Sequence, residues 1–322
     1  MSKNIAIRPE HRNISNLQST AGKLSWINIT NAKTKEIDYL KRKFKFLDCD
    51  LKDTHSKRIS QRPKFYVRNN YCFLILQFPI YNPKTRTIDA EEIDFFIGSD
   101  YIISIHRDVL PPLVELFNKC SNDRFFKDQY LNSTNSILLY EILTRLHEYC
   151  YPILDHISLD IKNLEGNIFT GRERRMVTEI LFIRRNLLNF RKMMQPHKTI
   201  IQKIAKKEIS FLSMTGSKEY FDDLIENTKD IWDNLNSQKE TLEALEDTNT
   251  SLVSFKLNDI MRTLTIFSVI IFPLTLFAGI FSMGIRGGMP FSESPYGFWI
   301  IIGIMAMGAI TMFVFFKKRK WM

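Results

Sequence analysis

The chain has 322 residues and carries 45 Lys and Arg against 35 Asp and Glu, a formal net charge of +10. Its length accommodates a water-soluble part followed by membrane-spanning segments. Because charged residues recur up to about residue 255, membrane spans are excluded from that part of the chain. The basic balance is typical of a solvated basic face or of contact with an anionic surface.

The cysteine pattern and the first residues indicate a reducing, cytosolic compartment. The cysteines show no C-x-x-C spacing, which favours buried thiols over a disulfide framework or a metal site. They are Cys49, Cys72, Cys120 and Cys150. Residues 1–16 contain no apolar segment of the kind found in signal peptides, so we expect no signal peptide.

Residues 1–135 are predicted to form a cytosolic α/β domain. Short runs of β-branched and aromatic residues alternate with turn-forming Asn, Pro and Gly, a pattern that predicts strands. The strands are expected at residues 23–30, 64–67, 71–80, 91–97 and 101–106. Helical spacing predicts a helix over residues 34–46 and another from Pro111 through Phe117. The close succession of strands indicates a mostly antiparallel sheet with flanking helices.

Residues 136–262 are predicted to form long stalk helices. Apolar residues three and four apart indicate a helix over residues 137–169, which Pro152 should kink or divide. A later helix is expected to start near Lys218 and to continue into the first apolar segment as far as Met283. At 1.5 Å per residue this helix would be roughly 95 Å long.

Two uncharged segments, residues 263–283 and 297–316, are each long enough to cross the roughly 30 Å hydrocarbon core of a bilayer as a helix. The soluble alternative would require two helices that are apolar on every face. We therefore predict two transmembrane helices, an external loop of residues 284–296 and a basic cytosolic tail of residues 317–322. The tail includes Lys317, Lys318, Arg319 and Lys320.

The basic tail sets the expected orientation in the membrane. Positive flanking residues stay on the cytoplasmic side, so both termini of this multi-pass protein are predicted to be cytoplasmic, in the cell (inner) membrane. Four cations directly after a span lie at the depth of the lipid headgroups. The lipid bilayer is therefore the expected partner of this charge, and we expect no nucleic acid.

The sequence lacks the motifs that carry enzymatic chemistry. No G-x-S-x-G, Walker loop, H-E-x-x-H or G-x-G-x-x-G occurs, so we predict no catalytic residues and no enzyme activity. His106, His147 and His156 lie in predicted strand or helix, and none has a carboxylate or cysteine at a convincing metal-ligand spacing. A structural role is favoured for each of them.

One face of the first predicted span carries weakly polar residues. Residues that recur at intervals of three and four share a helical face, and here they are Asn258, Met261, Thr265, Ser268, Phe272, Thr275 and Gly279. Within hydrocarbon such a face must meet a partner helix or water, although Ser and Thr hydroxyls can also bond to their own helix. Copies of the helix around an axis would line a pore with the oxygen ligands that Mg²⁺ requires. Two spans cannot enclose a pore alone, so a homo-oligomer is expected.

Several segments resemble the CorA family of divalent-cation channels and transporters. They are residues 258–265 (NDIMRTLT), 272–275 (FPLT), 278–281 (AGIF), the basic tail with Trp321, and, earlier in the chain, Trp26 and residues 62–64, 95–106 and 182–191. The resemblance implies an α+β cytosolic funnel domain, long stalk helices and two transmembrane helices in a homopentamer whose first span lines the pore. It also implies transport of a divalent metal cation, with no cofactor beyond the transported or regulatory Mg²⁺ or Zn²⁺.

The resemblance further implies gating by cytosolic cations. Asp223 falls where the family has an acidic residue between subunits that senses cytosolic Mg²⁺, and Asp247 falls near another acidic position. An acidic residue on a stalk helix can also be merely solvated, and the sequence identifies no second ligand for either aspartate.

The family signature Gly-Met-Asn is replaced here by Ser282, Met283 and Gly284, so the ring of Asn side chains that binds the hydrated cation in the family is missing. The adjoining loop contains Arg286 and Glu293, and several arginines at an entrance would repel cations. Other pieces of the loop resemble the zinc-transporting ZntB branch more than the magnesium branch.

Three functions are left open by these observations. The first is a channel-like transporter of divalent cations, with Mg²⁺ favoured over Zn²⁺, Co²⁺ and Ni²⁺. The second is a non-conducting membrane scaffold or regulatory relative. The third is a transporter of a different ion, and an entrance at Arg286 would suit an anion.

Overall fold

The computed structural model consists of two units, Met1–Glu246 and Asp247–Met322. The residues that it describes are 13–19, 24–55, 62–171, 173–206, 209, 211–212, 217–283, 290 and 295–319.

The first unit contains a six-stranded sheet. Its strands are β1 (Ile14–Gln18), β2 (Ser25–Thr30), β3 (Lys64–Val67), β4 (Cys72–Asn82), β5 (Thr87–Ile97) and β6 (Tyr101–His106). They lie in the order β1-β2-β6-β5-β4-β3, and all neighbours are antiparallel except β2 and β6. The mostly antiparallel sheet predicted from the sequence is confirmed, and the structure adds strand β1 and extends β5 back to Thr87.

Helices cover both faces of this sheet. They are α1 (Thr34–Phe44), α2 (Asp48–His55), α3 (Pro111–Asn122), α4 (Arg124–Leu131), α5 (Asn135–Glu148), α6 (Cys150–Asn167), α7 (Glu173–Met194), α8 (His197–Lys206) and the first part of α9 (Lys218–Ser282). Side chains alternate across a strand, so β4 supplies both faces. Phe73 and Ile75 pack in the cluster under α1 and α2, whereas Leu74 and Leu76 join the larger core with the other helices.

The larger core joins two regions that the sequence separates, the predicted α/β domain of residues 1–135 and the predicted stalk of residues 136–262. Residues of α5, α6 and α7 are buried together with the sheet, because the face opposite α1 and α2 needs an apolar cover. The first unit therefore continues past residue 135 as far as Glu246.

Proline divides the helical run predicted over residues 137–169. Helix α5 ends at Glu148 and α6 begins at Cys150, so Pro152 lies in the first turn of α6. The first N–H groups of a helix have no acceptor within the helix, so a proline in the first turn removes no hydrogen bond. Further inside a helix, its missing N–H would remove one. The division predicted at this proline is confirmed.

Helix α9 is continuous from Lys218 to Ser282 and includes Pro273. The uninterrupted helix predicted from Lys218 is therefore present. The boundary between the two units falls within it. Before that boundary, apolar residues of α9 are buried in the larger core: Phe221, Leu224, Ile231, Leu235 and Leu242.

The second unit contains the rest of α9 and α10 (Gly297–Lys318). Both helices have a segment that is long and apolar enough to cross a membrane. Only 6% of that segment is buried in α9 and 0% in α10. The apolar helices of a soluble core are mostly buried, so this exposure argues against the soluble alternative.

Candidate functional site

Seven residues on one face of α9, which we call the polar face, were predicted to line a pore. They are Asn258, Met261, Thr265, Ser268, Phe272, Thr275 and Gly279. All are exposed except Ser268, which is partly covered. Met261 and Phe272 expose 54% and 73% of their surface, and a Cβ added to Gly279 would meet nothing within 4 Å. Such exposed apolar surface, next to a glycine that allows close approach, is typical of a surface that meets another chain.

In the same segment, the residues of α9 that are buried or partly buried lie, apart from Ser268, on the side opposite the polar face. Ile266, which is 3% exposed, lies five positions from Met261 and therefore about 140° around the helix. Other partly covered residues on this side are Arg262, Ile270, Leu274, Phe277 and Phe281. Helix α10 has a comparable stripe made of Ile301, Met305, Gly308, Ala309 and Met312. The polar face and these covered residues of α9 therefore lie on opposite sides of the helix.

The hydroxyl groups of the polar face donate to their own helix. Each bonds to the carbonyl four residues earlier: Thr265 Oγ1 to Met261 O at 2.8 Å, Ser268 Oγ to Leu264 O at 2.9 Å and Thr275 Oγ1 to Ile271 O at 2.9 Å. The back-bonding alternative therefore holds for all three. A hydroxyl whose hydrogen is used in this way still has lone pairs. These oxygens can therefore still accept a hydrogen bond or bind a cation.

The candidate pore mouth is only partly described. Ser282 is the last residue of α9, and Met283 follows it as an exposed side chain. Gly284, Arg286 and Glu293 lie outside the described residues.

At the other end of the second unit, Lys317 and Lys318 form the exposed last turn of α10. The Arg319 guanidinium lies 5.8 Å from the centre of the Phe315 ring. The contact combines an apolar stem with a charged tip, as basic side chains do at a membrane surface. Lys320 lies outside the described residues.

The two candidate regulatory aspartates have different surroundings. Asp223 is exposed and accepts a hydrogen bond from the Tyr140 hydroxyl, with 3.1 Å from Oη to Oδ2. Burial raises the pKa of Tyr140, and the bond to Asp223 raises it further, so the phenol keeps the hydrogen that it donates. Asp247 is exposed in the second unit, and its main-chain carbonyl accepts from Ser251.

Within the described ranges, no three His, Cys, Asp or Glu side chains come together as a metal site. The described part of one chain therefore gives neither Asp223 nor Asp247 enough protein ligands for a metal ion. A cation held there would need water or residues of another copy to complete its coordination.

The histidines singled out from the sequence have structural surroundings. His106 Nε2 donates to Asn28 Oδ1 at 3.0 Å, and its Nδ1 accepts from the Asp108 amide at 3.0 Å. Burial lowers the pKa of His106 to about 4. The His156 ring packs edge-on against Tyr81. His147 contacts His197, a relationship that the sequence did not suggest because fifty positions separate the two residues.

Comparison with known proteins gives consistent results. The family model described as "CorA-like Mg2+ transporter protein" matches residues 21–318. The chain is 26% identical over 302 residues to the cobalt/magnesium transport protein CorA of Thermotoga maritima, which covers 92% of this chain and 83% of that protein. It is 23% identical over 274 residues to the zinc transport protein ZntB of Pectobacterium carotovorum subsp. carotovorum, covering 82% and 78%.

The fold is also found among solved structures. The complete structure of the CorA magnesium transporter from Methanocaldococcus jannaschii superimposes with a TM-score of 0.82 at 21% sequence identity. The match covers 96% of this chain and 98% of that one. The fold, an α+β domain followed by a long helix with an apolar C-terminal part and a second apolar helix, is therefore shared over nearly the whole chain.

Proposed function

Because this chain belongs to the CorA-like Mg²⁺ transporter family, we propose that it passes divalent metal cations through the central pore of a homopentamer. The family consists of membrane transporters and not of enzymes. In the proposed topology both termini are cytoplasmic, the loop of residues 284–296 is external, and the protein resides in the cell membrane.

The observation that carries this proposal is the polar face of α9. It is bare in the single chain, whereas the covered residues of the helix lie on the other side. Exposed polar groups are unfavourable in hydrocarbon, so within a membrane this face needs copies of itself or water. In a ring of identical helices whose polar faces point inward, each face meets both the other copies and the water of the pore.

The chemistry of this face suits cations. The hydroxyl oxygens of Thr265, Ser268 and Thr275 use their hydrogens within the helix and turn lone pairs outward. The amide of the exposed Asn258 adds a carbonyl oxygen near the cytoplasmic end. Oxygen ligands are preferred by hard cations such as Mg²⁺, and the three hydroxyls have no hydrogen left to donate to an anion.

The choice of cation remains a proposal. Mg²⁺ is favoured because the polar face offers oxygen ligands and the described residues offer no cluster of Cys or His. The similarity to one protein named for cobalt and magnesium and to another named for zinc supports Mg²⁺ with Zn²⁺ and Co²⁺ as further substrates. Ni²⁺ is proposed only from the resemblance to the family. The missing Asn of the signature leads us to expect weak selectivity among them.

Gating by cytosolic cations is the second part of the proposal. The carboxylate of Asp223 is exposed, so a neighbouring copy could reach it and supply the further ligands that the described residues of one chain do not offer. Asp247, exposed further along α9, is proposed as another acidic ring. A cation bound between subunits at Asp223 would hold the closed state together.

The replaced signature also favours an alternative. A relative that has lost the Asn side chains at its entrance could remain in the membrane as a non-conducting scaffold or regulator. With Arg286 in the same loop, transport of an anion is a further alternative.

Uptake of isotopic Mg²⁺ and Zn²⁺ by liposomes containing the purified protein tests the proposal, with and without a proton gradient. Thr275→Val keeps the side-chain shape and removes the oxygen, so we expect slower Mg²⁺ uptake. Thr311→Val is the matched control, because the Thr311 hydroxyl on α10 makes the same back-bond, to Met307 O at 2.8 Å. If the intact protein takes up neither cation, the non-conducting alternative is favoured. If Mg²⁺ uptake falls equally in Thr275→Val and Thr311→Val, the polar face does not line the ion pathway.

A further inference from the structure

Two buried histidines of the first unit contact each other between helices α5 and α8. His147 Nε2 and His197 Nδ1 are 3.3 Å apart, and the two residues expose 1% and 0% of their surface. Phe78 of β4 packs edge-on against both rings, with centroid distances of 5.4 and 5.0 Å. Bulk water therefore does not reach the contact.

The outer nitrogen of each ring fixes where the hydrogens are. His147 Nδ1 lies 2.7 Å from the carbonyl oxygen of Leu143, and His197 Nε2 lies 2.9 Å from that of Gln77. A carbonyl oxygen only accepts, so both of these nitrogens must carry hydrogen. A neutral imidazole has one N–H, and each ring has therefore used its hydrogen on a carbonyl.

The two inner nitrogens consequently face each other as lone pairs when both rings are neutral. Three contacts have to be made, two to carbonyls and one between the rings, and the neutral pair has only two hydrogens for them. One additional proton at the inner contact completes the series. It would connect the α5 carbonyl, the two rings and the β4 carbonyl in a single hydrogen-bonded chain.

We propose that His147 and His197 together form a buried binding site for one proton, and that this proton fastens α8 to α5 and β4. In the proposed topology this unit faces the cytosol, so the ligand is a cytosolic proton. A metal ion is a poorer occupant, because among the described residues no third His, Cys, Asp or Glu joins the pair.

No nearby charge replaces the proton, because the buried Glu91 of β5, which lies opposite Phe78, is paired with Arg107. Besides burial, the pKa of His147 is affected by the Leu143 carbonyl, and that of His197 by His147 and the Gln77 carbonyl. Burial lowers both pKa values, that of His147 to about 4. Burial also raises the pKa of Cys150, three positions after His147, which stays a neutral thiol and donates to Leu146 O.

The charged residues on the surrounding helices lie toward solvent. Arg145 and Glu148 of α5 and Lys198 of α8 are partly or fully exposed, and Arg191 of α7 stacks on Trp232. The first proton therefore goes to the pair as a unit, and sharing it offsets part of the burial cost. The second proton would place two charges in contact and is taken up only at much lower pH.

Solid-state NMR of the full chain in lipid vesicles, labelled with ¹⁵N-histidine, tests the site. At pH 7.5 we expect one bare nitrogen signal from each ring. On acidification below the ordinary histidine pKa, both signals should shift together in one step of one proton. In His197→Gln the amide can donate its own N–H to His147 Nε2, so His147 should titrate at lower pH than the pair. His156→Gln, on α6, is the control that should leave the shared step unchanged.

Hydrogen exchange of α8, corrected for the intrinsic effect of pH, tests the fastening. Exchange should slow about tenfold or more when the proton binds, since hydrogen bonds to charged groups are among the stronger ones. The slowing should be absent in His197→Gln. The proposal would be overturned if the two rings titrated separately, or if the protein unfolded before the pair took up a proton. It would also be overturned if the hydrogen exchange of α8 did not change. None of these outcomes depends on whether the protein transports cations.

Discussion

Arg68 and Asp50 form a two-point contact in the first unit. The Arg68 Nε lies 3.0 Å from Asp50 Oδ2, and its Nη2 lies 2.6 Å from Oδ1. The Tyr71 hydroxyl donates to the same carboxylate at 2.7 Å. Asp50 belongs to α2, whereas Arg68 directly follows β3, so the contact fastens the helix to the edge of the sheet.

This contact predicts a pH-dependent loss of stability in Asp50→Asn. Burial alone would raise the pKa of Asp50, but hydrogen bonds from Arg68 and Tyr71 and the charge of Arg68 hold it below 3.8. The carboxylate therefore stabilises the fold above about pH 4, and the contribution disappears as the pH falls through the lower folded pKa. We expect Asn to cost about 1–3 kcal/mol at pH 7 and progressively less below about pH 4.

Urea unfolding of the full chain in detergent, followed by tryptophan fluorescence, measures this difference. Asp48→Asn is the control, because Asp48 pairs with Lys41 while both side chains stay more than half exposed. Its effect should be within about 0.5 kcal/mol. Equal effects of the two substitutions at pH 7 would contradict the assignment.

The assembly prediction concerns the bare polar face of α9. Native mass spectrometry in mild detergent should show a complex of about 190 kDa, five times the chain mass of 38.0 kDa. Monomers and dimers alone would leave Phe272 and Asn258 without the shield that the pore requires.

The topology prediction uses cysteine labelling in intact cells. A cysteine at Ser294, in the proposed external loop, should react with an impermeant thiol reagent. Ser99→Cys, at an exposed turn between β5 and β6, should react only after permeabilisation, as should the native exposed Cys49. The reverse pattern would invert the orientation.

The gating prediction concerns Asp223. If it helps to hold an inhibitory cytosolic cation between subunits, Asp223→Ala should increase transport at high internal Mg²⁺ and reduce the protection from protease that Mg²⁺ gives. Asp222→Ala, the exposed neighbour on the same helix, is the matched control. Tyr140→Phe removes the hydrogen bond to Asp223 and tests the intramolecular contact separately. Identical Mg²⁺ dependence in all variants would make Asp223 an ordinary solvated acid.

The entrance prediction concerns the replaced signature. An amide side chain binds a hydrated ion through outer-shell hydrogen bonds, which matter for Mg²⁺ because it loses water reluctantly. Ser282→Gly combined with Gly284→Asn should therefore lower the apparent KM for Mg²⁺. Arg286→Glu should increase the flux most at low ionic strength, where its field is least screened. High-affinity Mg²⁺ transport by the unaltered protein, with no gain in the double variant, would place selectivity elsewhere in the chain.

Elements that depend on local pattern could be predicted from the sequence. Helix α9 from Lys218, the division at Pro152 and the apolar helix α10 all follow from periodicity, proline chemistry or hydropathy within one segment. Strand β1 was missed because a short edge strand gains its pairing from β2, and α2 and α4 were missed because each has only eight residues.

Contacts between residues far apart in the chain could not be predicted from the sequence pattern. The parallel pairing of β2 with β6 joins residues more than seventy positions apart, such as Ser25 and Tyr101. The contact of His147 with His197 likewise arises only when α5 and α8 pack on β4. The polar face of α9 could be derived because helical spacing alone defines it. The surface that we propose to meet it could not, because in that proposal it belongs to another chain.

The position of the unit boundary has a consequence for biosynthesis. Every residue of the first unit, including the α9 residues up to Leu242 that complete its core, precedes the apolar segment that starts at residue 263. Chains are made from the N-terminus, and domains generally fold as units in that order. The ribosome therefore finishes the complete core of the first unit before it synthesises the first membrane-spanning segment. The bilayer then receives a chain whose water-soluble part already has all the residues that it needs to fold.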